Sequence, residues 1–197
     1  MKGWRSLRKW FGVAVWWGYV LGMTIVPASA QNVFNSGSTG ADGALIFYSP
    51  PAGRDFHAMA YDAERQVVVL FGGSGSGGTL LNETWEWDNT RWTLKNLINR
   101  PSARIGHRMT YDSTRRVIVL FGGRSGSNLL SDTWEYDGTD WVLKSPPTSP
   151  PLRENCTMVY DSLRQRIVLF GGFTEPNIHR SDTWEYDGST WIQITPP

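Results

Sequence analysis

Apolar positions along the chain follow the periods of β-strands. Three apolar runs, Val67–Phe71, Val117–Phe121 and Ile167–Phe170, each come after a segment in which apolar and polar residues alternate, such as His107–Tyr111. Alternation predicts a strand with one buried face, and a continuous run predicts a strand buried on both faces. No stretch after Ala30 has a helical period, so the pattern predicts an all-β fold.

The alternating and continuous segments recur as one unit. The sequences HAMAYDAERQVVVLFGG, HRMTYDSTRRVIVLFGG and CTMVYDSLRQRIVLFGG align without gaps, and each is followed by ETWEWDNTRW, DTWEYDGTDW or DTWEYDGSTW. Phe71, Phe121 and Phe170 are 50 and 49 residues apart. A period near fifty with four predicted strands indicates that each unit is one blade of a β-propeller.

Short turns join the predicted strands. Between the first and second strands an Asp precedes an Arg by three residues, as in Asp112 and Arg115, so we expect the carboxylate to accept turn amides with the Arg over it. Asp137-Gly138 joins the third and fourth strands, a strong hairpin signal because Gly tolerates a positive φ. The first unit has Asp88-Asn89 there, a weaker signal of the same kind.

Glycines and tryptophans recur at fixed positions of the unit. A glycine pair ends the second strand, and we expect it to let the backbone bend close beneath a neighbouring aromatic ring. Two tryptophans follow in the third and fourth strands, and their regular positions favour a role in the core over stacking on sugars. These structural positions are Gly72, Gly73, Gly122, Gly123, Gly171, Gly172, Trp85, Trp92, Trp134, Trp141, Trp184 and Trp191.

An apolar run, a double glycine and two spaced aromatics together resemble the kelch repeat signature. The signature is carried by VVVLFGG, VIVLFGG and RIVLFGG with the tryptophans that follow each of them, over about residues 54–195. The resemblance implies three four-stranded antiparallel kelch blades that form an incomplete propeller. Kelch propellers share a fold and differ widely in function, so the resemblance does not determine the activity.

Residues 1–30 have a different character from the repeats. Four cations and no acids lie within residues 1–9, residues 10–26 are uncharged and apolar, and Pro27–Ala30 matches a small-residue cleavage site. This order predicts a secretory signal peptide that is cleaved after Ala30, and hence a secreted or periplasmic protein. An uncleaved membrane anchor is the alternative.

The predicted domains follow from the repeats. The signal peptide precedes a linker that carries a lone strand at residues 43–48, which resembles the last strand of an absent blade. The ranges are 31–53 for the linker and 54–197 for the kelch-repeat domain, with blades at about 54–100, 101–149 and 150–197.

Charge and cysteine usage exclude several classes of function. Without residues 1–30 the chain has 15 cations against 18 acids, and no basic run, which argues against nucleic acid or an anionic membrane as partner. The single cysteine, Cys156, excludes an intramolecular disulfide. Cys156 aligns with His57 and His107, so we interpret all three as core residues and expect neither a metal nor a cofactor.

Three arginines are candidate ligand-binding residues. Arg54, Arg104 and Arg153 each lie three residues before the first strand of a blade. In a propeller this places them near one mouth of the central channel, and the resemblance implies that such arginines can hold acidic peptides or carboxylates. The alternative is that each arginine binds the carbonyls of a neighbouring loop.

The loops after the double glycines are the second candidate. Residues 74–81, 124–131 and 173–181 differ most between the units, and rigid sheets that present variable loops commonly serve recognition. Ordinary solvated loops are the alternative. The candidate polar residues are Arg124, Glu175, Asn177, His179 and Arg180.

We therefore expect an extracytoplasmic binding module that recognises a protein or a glycan through loops at the propeller mouth. We predict no catalytic residues; a sugar-modifying enzyme of the epimerase-like kelch type is the alternative. Three blades fall short of the roughly four to eight of closed propellers. The chain is then a fragment of a larger propeller, half of a ring closed by self-association, or an open arc with two unpacked apolar faces.

Overall fold

The three apolar runs form the second strands of three four-stranded antiparallel sheets, which confirms the predicted all-β kelch blades. The computed structural model describes residues 38–39, 45–46, 49–176 and 178–195. The blades have the strand orders β3-β4-β5-β6, β7-β8-β9-β10 and β11-β12-β15-β16, and two further sheets have two strands each. These described residues contain one 3₁₀ turn, Ser76–Gly78, and no helix that is long and apolar enough to cross a membrane.

The strand bounds follow the repeat closely. They are β1 Ser38–Thr39, β2 Leu45–Ile46, β3 Ala58–Asp62, β4 Val67–Phe71, β5 Thr84–Trp87, β6 Trp92–Leu94, β7 Arg108–Asp112, β8 Val117–Ser125, β9 Asn128–Tyr136, β10 Trp141–Lys144, β11 Thr157–Asp161, β12 Arg166–Phe170, β13 Phe173–Thr174, β14 Ile178–His179, β15 Thr183–Tyr186 and β16 Trp191–Ile194.

The hydrophobic core lies between neighbouring sheets. The first strands of the blades are neighbours, with β3 beside β7 and β7 beside β11. Between blades 1 and 2, Val69 and Phe71 pack with Leu120 and Trp141. Between blades 2 and 3, the equivalent residues form a second cluster that includes Phe121 and the fully buried Trp191. The second strand of blade 2 therefore serves two interfaces, with Ile118 and Leu120 in one cluster and Val119 and Phe121 in the other, which explains why its sequence does not alternate.

Each blade has two ends with different connections. Asp62 and Val67 pair at one end of β3 and β4, where the short turns between strands lie, and we call this the turn edge. At the other end Ala58 pairs with Phe71, next to the double glycine, and we call this the mouth edge. Loops of different sequence leave all three blades at the mouth edge.

Blade 2 has longer strands than the sequence predicts. The second strand continues past Gly122 and Gly123 to Ser125 and pairs with a third strand that begins at Asn128. A register shift between Phe121 and Gly123 allows this continuation, so the loop of blade 2 is a β-hairpin.

The segment before blade 1 is described only in part. Of the lone strand predicted at residues 43–48, Leu45–Ile46 is a strand that pairs antiparallel with Ser38–Thr39, so it is not unpaired. The predicted signal peptide and its cleavage site at Ala30 lie outside the described residues.

Candidate functional site

The mouth edge brings together the double glycines, the three candidate arginines and the variable loops. In each blade a residue next to the arginine forms a β-bridge with the residue that follows the glycine pair: Asp55 with Ser74, Ile105 with Arg124, and Glu154 with Phe173. These bridges hold the start of each loop against its own blade. The loops therefore begin from equivalent, rigid positions and differ beyond them.

The side chains of the three candidate arginines are buried. Their side chains are 3%, 1% and 0% exposed for Arg54, Arg104 and Arg153. Nη1 of Arg104 donates to the carbonyl of Gly122 at 3.0 Å, and its two terminal nitrogens bind both oxygens of Asp132 at 2.7 Å. The structure thus favours the alternative that each arginine binds loop carbonyls. Each guanidinium donates a hydrogen bond to the carbonyl of the first glycine in its own blade's glycine pair.

An acid links each arginine to a tryptophan of the same blade. Asp132 accepts from Arg104 and from the indole Nε1 of Trp134 at 2.7 Å. Asp182 does the same with Arg153 and Trp184. The hydrogen bonds from Arg153 lower the pKa of Asp182 to about 2, although its burial opposes this. The indole nitrogens of these tryptophans are thus occupied by protein groups.

The glycine pair is required by close approach, as expected, and the nearest neighbours in blade 2 are peptide carbonyls. Gly122 has φ +64°, and a Cβ there would come within 2.7 Å of the carbonyl oxygen of Arg153 in the next blade. Gly123 has φ +97°, and a Cβ would come within 2.6 Å of the carbonyl of Ile105. In blade 1 a ring is also close, because a Cβ at Gly72 would come within 2.9 Å of both the carbonyl oxygen of Arg104 and the imidazole ring of His107.

Arg124 is the predicted loop residue with the most developed surroundings. It lies in the blade 2 hairpin, and its Nε donates to Glu154 at 3.1 Å and its Nη1 to Glu175 at 2.8 Å, both in blade 3. The hydrogen bond to Glu175, ahead of the one to Glu154, raises the pKa of Arg124 above its ordinary value. Glu175 is 58% exposed at its side chain, whereas Glu154 is 13% exposed. The pair with Glu175 is therefore open to solvent and to a competing carboxylate.

The other predicted loop residues are not part of this ion-pair group. His179 is exposed, and its ring contacts the ring of Phe173 edge-on at 5.7 Å. Arg180 is half-buried, and its Nε has no hydrogen-bond partner among the described residues. Asn177 lies outside the described residues. The sequence analysis did not select Glu154. Its signal was its position directly after a candidate arginine, where blades 1 and 2 have Asp55 and Ile105.

Of the aligned histidines and cysteine, His107 and Cys156 lie in the blade interfaces, whereas His57 is half-buried. His107 is fully buried, its Nε2 lies 3.1 Å from the carbonyl oxygen of Phe71, and burial lowers its pKa to about 3. Burial also raises the pKa of Cys156 to about 11, so its thiol is protonated at neutral pH. No group of three metal-binding side chains occurs within the part of the chain that the structure describes.

The turn edge holds a second repeated set of charges. Asp112 accepts from the backbone amides of Thr114 and Arg115 and from the Arg115 side chain, which confirms the turn prediction. Arg115 also pairs with Glu135, and Glu135 accepts from the hydroxyl of Tyr186 in the next blade at 3.1 Å. Glu135 therefore joins blades 2 and 3, and Glu86, which accepts from the hydroxyl of Tyr136, joins blades 1 and 2 in the same way.

A comparison with known families agrees with this geometry. The model of the KLHDC2/KLHL20/DRC7 Kelch-repeats domain matches residues 44–197. The chain belongs to this kelch-repeat family. No curated protein matches it. Membership of the kelch family identifies the chain as a propeller-type protein-interaction module, and its mouth edge is the surface whose loops vary from blade to blade.

Proposed function

We propose that the chain is an exported interaction module whose mouth edge binds a protein partner through an acidic segment. The supporting observation is the Arg124–Glu175 pair, which joins the loops of two blades and has one solvent-exposed member. A partner carboxylate can replace Glu175 at Arg124 without leaving the guanidinium unpaired. Because arginine binds carboxylates through a fixed fork of donors, this exchange favours a carboxylate over other anions.

The loops around Arg124 provide a surface with fixed ends and adaptable tips. The blade 2 hairpin turns at Gly126, Ser127 and Asn128, all exposed. Blade 1 has a 3₁₀ turn at the same place, and its loop and Arg54 line a shallow open groove of about 430 Å³. Three different loops on equivalent sheets are the arrangement expected of a recognition surface.

The aromatic side chains favour a protein partner over a glycan. Sugars are commonly bound on exposed aromatic faces, and the large exposed aromatics among the described residues are Phe56, Tyr61 and Phe170, with no tryptophan. Trp141 and Trp191 are buried at the blade interfaces. The described residues therefore offer no exposed tryptophan face on which a sugar could stack.

Export is the part of the proposal that rests on residues 1–30. Their basic start, apolar stretch and small-residue ending support a cleaved signal peptide. Sequencing the N-terminus of the protein recovered from outside the cytoplasm tests this. We expect the first residue to be Gln31, and a retained Met1 in a membrane fraction would favour the anchor.

We also propose that the chain self-associates. Phe170 at the outer face of blade 3 is 53% exposed, whereas the equivalent Phe71 and Phe121 are fully buried. An apolar face of this kind on a single chain favours association with another blade. The solution mass of the purified protein is the direct test, and a monomer at all concentrations would contradict it.

A random peptide display library tests the mouth edge. Panning on the protein should enrich acidic peptides, and Arg124→Glu should abolish their binding while unfolding at a similar temperature. Arg116→Glu is the matched control, because Arg116 is 67% exposed at the turn edge of the same blade. Peptides that bind Arg124→Glu unchanged would overturn the proposal. Binding on a glycan array with no enriched peptide would favour the glycan instead.

A further inference from the structure

Blades 2 and 3 each dock on the preceding blade through the segment that carries their buried arginine. We call residues 51–57, 101–107 and 150–156 the entry segments; they share a Pro, an Arg three residues later, and a His or Cys at the end. In the second entry segment, the carbonyl of Arg104 accepts from the amide of Gly73 at 2.9 Å, and the amide of Arg104 donates to the carbonyl of Leu81 at 3.2 Å. Both partners belong to blade 1.

The third entry segment makes the same contacts with blade 2. The carbonyl of Arg153 accepts from Gly123 at 2.9 Å, and its amide donates to Leu130 at 3.0 Å. The identical pattern at two places shows that an entry segment recognises the double-glycine edge through backbone hydrogen bonds. The contact therefore depends mainly on backbone shape.

A line of backbone hydrogen bonds runs through the entry segments. The amide of Asn155 donates to the carbonyl of Gly106 at 2.8 Å, and the amide of Gly106 donates to the carbonyl of Phe56 at 3.1 Å. One residue of each blade takes part: Phe56 accepts, Asn155 donates, and Gly106 does both. The line ends at the Phe56 amide on one side and at the Asn155 carbonyl on the other, so the two ends are complementary.

Among the described residues, no entry segment packs against the double-glycine edge of blade 3. There, Gly172, Phe170 and Arg180 line an open pocket of about 470 Å³. Arg180 aligns with Leu81 and Leu130, whose carbonyls accept the entry segments of blades 2 and 3. We call this the blade 3 pocket. Its glycines have φ +69° and +103°, close to those of the occupied edges.

We propose that the entry segment 51–57 of a second copy of this chain occupies the blade 3 pocket, so that two chains form one six-bladed ring with two identical contacts. This rests on the self-association proposed above and specifies its register. The carbonyl of Arg54 then accepts from Gly172, and the Phe56 amide donates to Asn155 of the other copy. Six blades fall within the usual range for closed propellers, and head-to-tail contacts close when the rotation completes a ring.

Blade 1 has the side chains for this contact on its first and fourth strands. Met59 is 46% exposed, whereas the equivalent Met109 is 7% exposed and packs in the core between blades 1 and 2. Trp92 aligns with Trp141 and Trp191, which donate to a threonine of the preceding blade. Thr183 of blade 3 is the equivalent acceptor.

At the turn edge, blade 1 departs from blades 2 and 3. Trp87 occupies the position of Tyr136, whose hydroxyl donates to a glutamate of the preceding blade. Asn89 occupies the position of Gly138. A Cβ at Gly138 would come within 2.6 Å of Arg65, so the Asn89 side chain would crowd the equivalent Arg164 of the other copy. The contact between chains is therefore weaker than the contacts within one chain, and Asn89→Gly strengthens it.

Sedimentation of the purified protein, with one variant for each side of the contact, tests the register. Gly171→Asn places a side chain where Arg54 of the second copy would lie; in a single chain, a Cβ there meets only the carbonyl of Arg180, at 3.2 Å. Gly126→Asn is the matched control, since Gly126 has a similar φ of +60° and nothing within 4 Å of its Cβ. Met59→Lys blocks the other side.

The native protein and Gly126→Asn are expected to be dimers. Gly171→Asn and Met59→Lys alone are expected to be monomers that unfold cooperatively, with the dissociation constant of each raised at least tenfold. Mixed together they should form a one-to-one dimer, because one intact contact remains. Asn89→Gly should lower the dissociation constant of the native protein.

The outcomes separate the register from self-association itself. Dimers that persist in both blocking variants would leave self-association standing and overturn the register. A monomeric native protein would overturn both, and oligomers larger than a dimer would overturn the two-chain ring. The peptide-binding test at Arg124 is independent of all these results, because Arg124 lies outside the proposed contact.

Discussion

The indole Nε1 of Trp141 donates to the hydroxyl oxygen of Thr84 in the preceding blade, at 2.9 Å, with both side chains buried. Trp191 and Thr133 repeat the contact at 3.0 Å. The fourth strand of one blade is thus attached to the third strand of the blade before it. Because no disulfide links the blades, contacts of this kind and the apolar clusters beside them determine how the sheets are oriented.

Removing this hydrogen bond should measurably destabilise the fold. Thr84→Val keeps the shape of the side chain and leaves the Trp141 donor buried without a partner, which costs about 1–3 kcal/mol of the free energy of unfolding. Urea denaturation measures the change. Thr93→Val, on an exposed strand position, is the control and should change stability by less than about 0.5 kcal/mol. Equal effects of the two variants would contradict the assigned role.

The buried arginines should be essential to folding. Arg104→Ala leaves Asp132 without its principal partner and frees the carbonyl of Gly122, so we expect a loss of about 3–5 kcal/mol. Arg116→Ala, at an exposed position, is the control. Thermal unfolding followed by circular dichroism separates the two. An Arg104→Ala protein that unfolds at the native temperature would restore the ligand-binding interpretation of this residue.

Gly138 should tolerate substitution less well than Gly126. Both have a positive φ, +96° and +60°, but a Cβ at Gly138 would approach the guanidinium of Arg65 to 2.6 Å, whereas nothing lies near Gly126. We expect Gly138→Ala to cost about 1–3 kcal/mol more than Gly126→Ala, because Arg65 must leave its position above the Tyr136 ring. Similar denaturation midpoints for the two variants would show that Arg65 moves freely.

His107 should make stability depend on pH. Burial first, and then the charge of Arg104, lowers its pKa to about 3 from an ordinary value of 6.5. Below about pH 6.5 the unfolded chain takes up a proton that the folded chain refuses. Stability is therefore lost as the pH falls from about 6.5 towards 3, by up to about 1.4 kcal/mol per pH unit.

The chain itself supplies the control for this prediction. Cys156 occupies the equivalent position in blade 3, so His107→Cys places a side chain that the fold already accepts there. The difference in unfolding free energy between the native protein and His107→Cys should shrink with falling pH over this window. A constant difference would mean that His107 has the same pKa in the folded and in the unfolded protein.

Local patterns were sufficient to predict the four strands of each blade, but not the extension of the blade 2 strands to Ser125 and Asn128. Alternation at His107–Tyr111, the apolar run that follows it and the Asp137-Gly138 turn each lie within a few residues, and hairpin pairing joins segments that are close in sequence. The structure pairs Tyr111 with Ile118 and Trp141 with Tyr136, as that reading requires. Three repeats in phase made the assignment to kelch blades secure.

The exposure of the arginines could not be predicted in the same way. Arg104 has the same sequence context whether it faces a ligand or its own blade's loop. The orientation of Arg104 towards its own loop depends on Asp132, which lies 28 residues later in the sequence. Likewise, the Arg124–Glu175 pair spans two blades and two loops that do not repeat, so no periodic signal marks it.

The amino-acid pattern alone determined the strands, the turns, the positions of the glycine pairs and the kelch family, because these depend on backbone preferences and on burial within short segments. Only the tertiary structure decided that Arg54, Arg104 and Arg153 are buried, that peptide backbone crowds the glycine pairs, and that Arg124 joins two loops. Those properties depend on how one sheet is rotated against the next. That rotation is determined by side chains about fifty residues apart, such as Trp141 and Thr84.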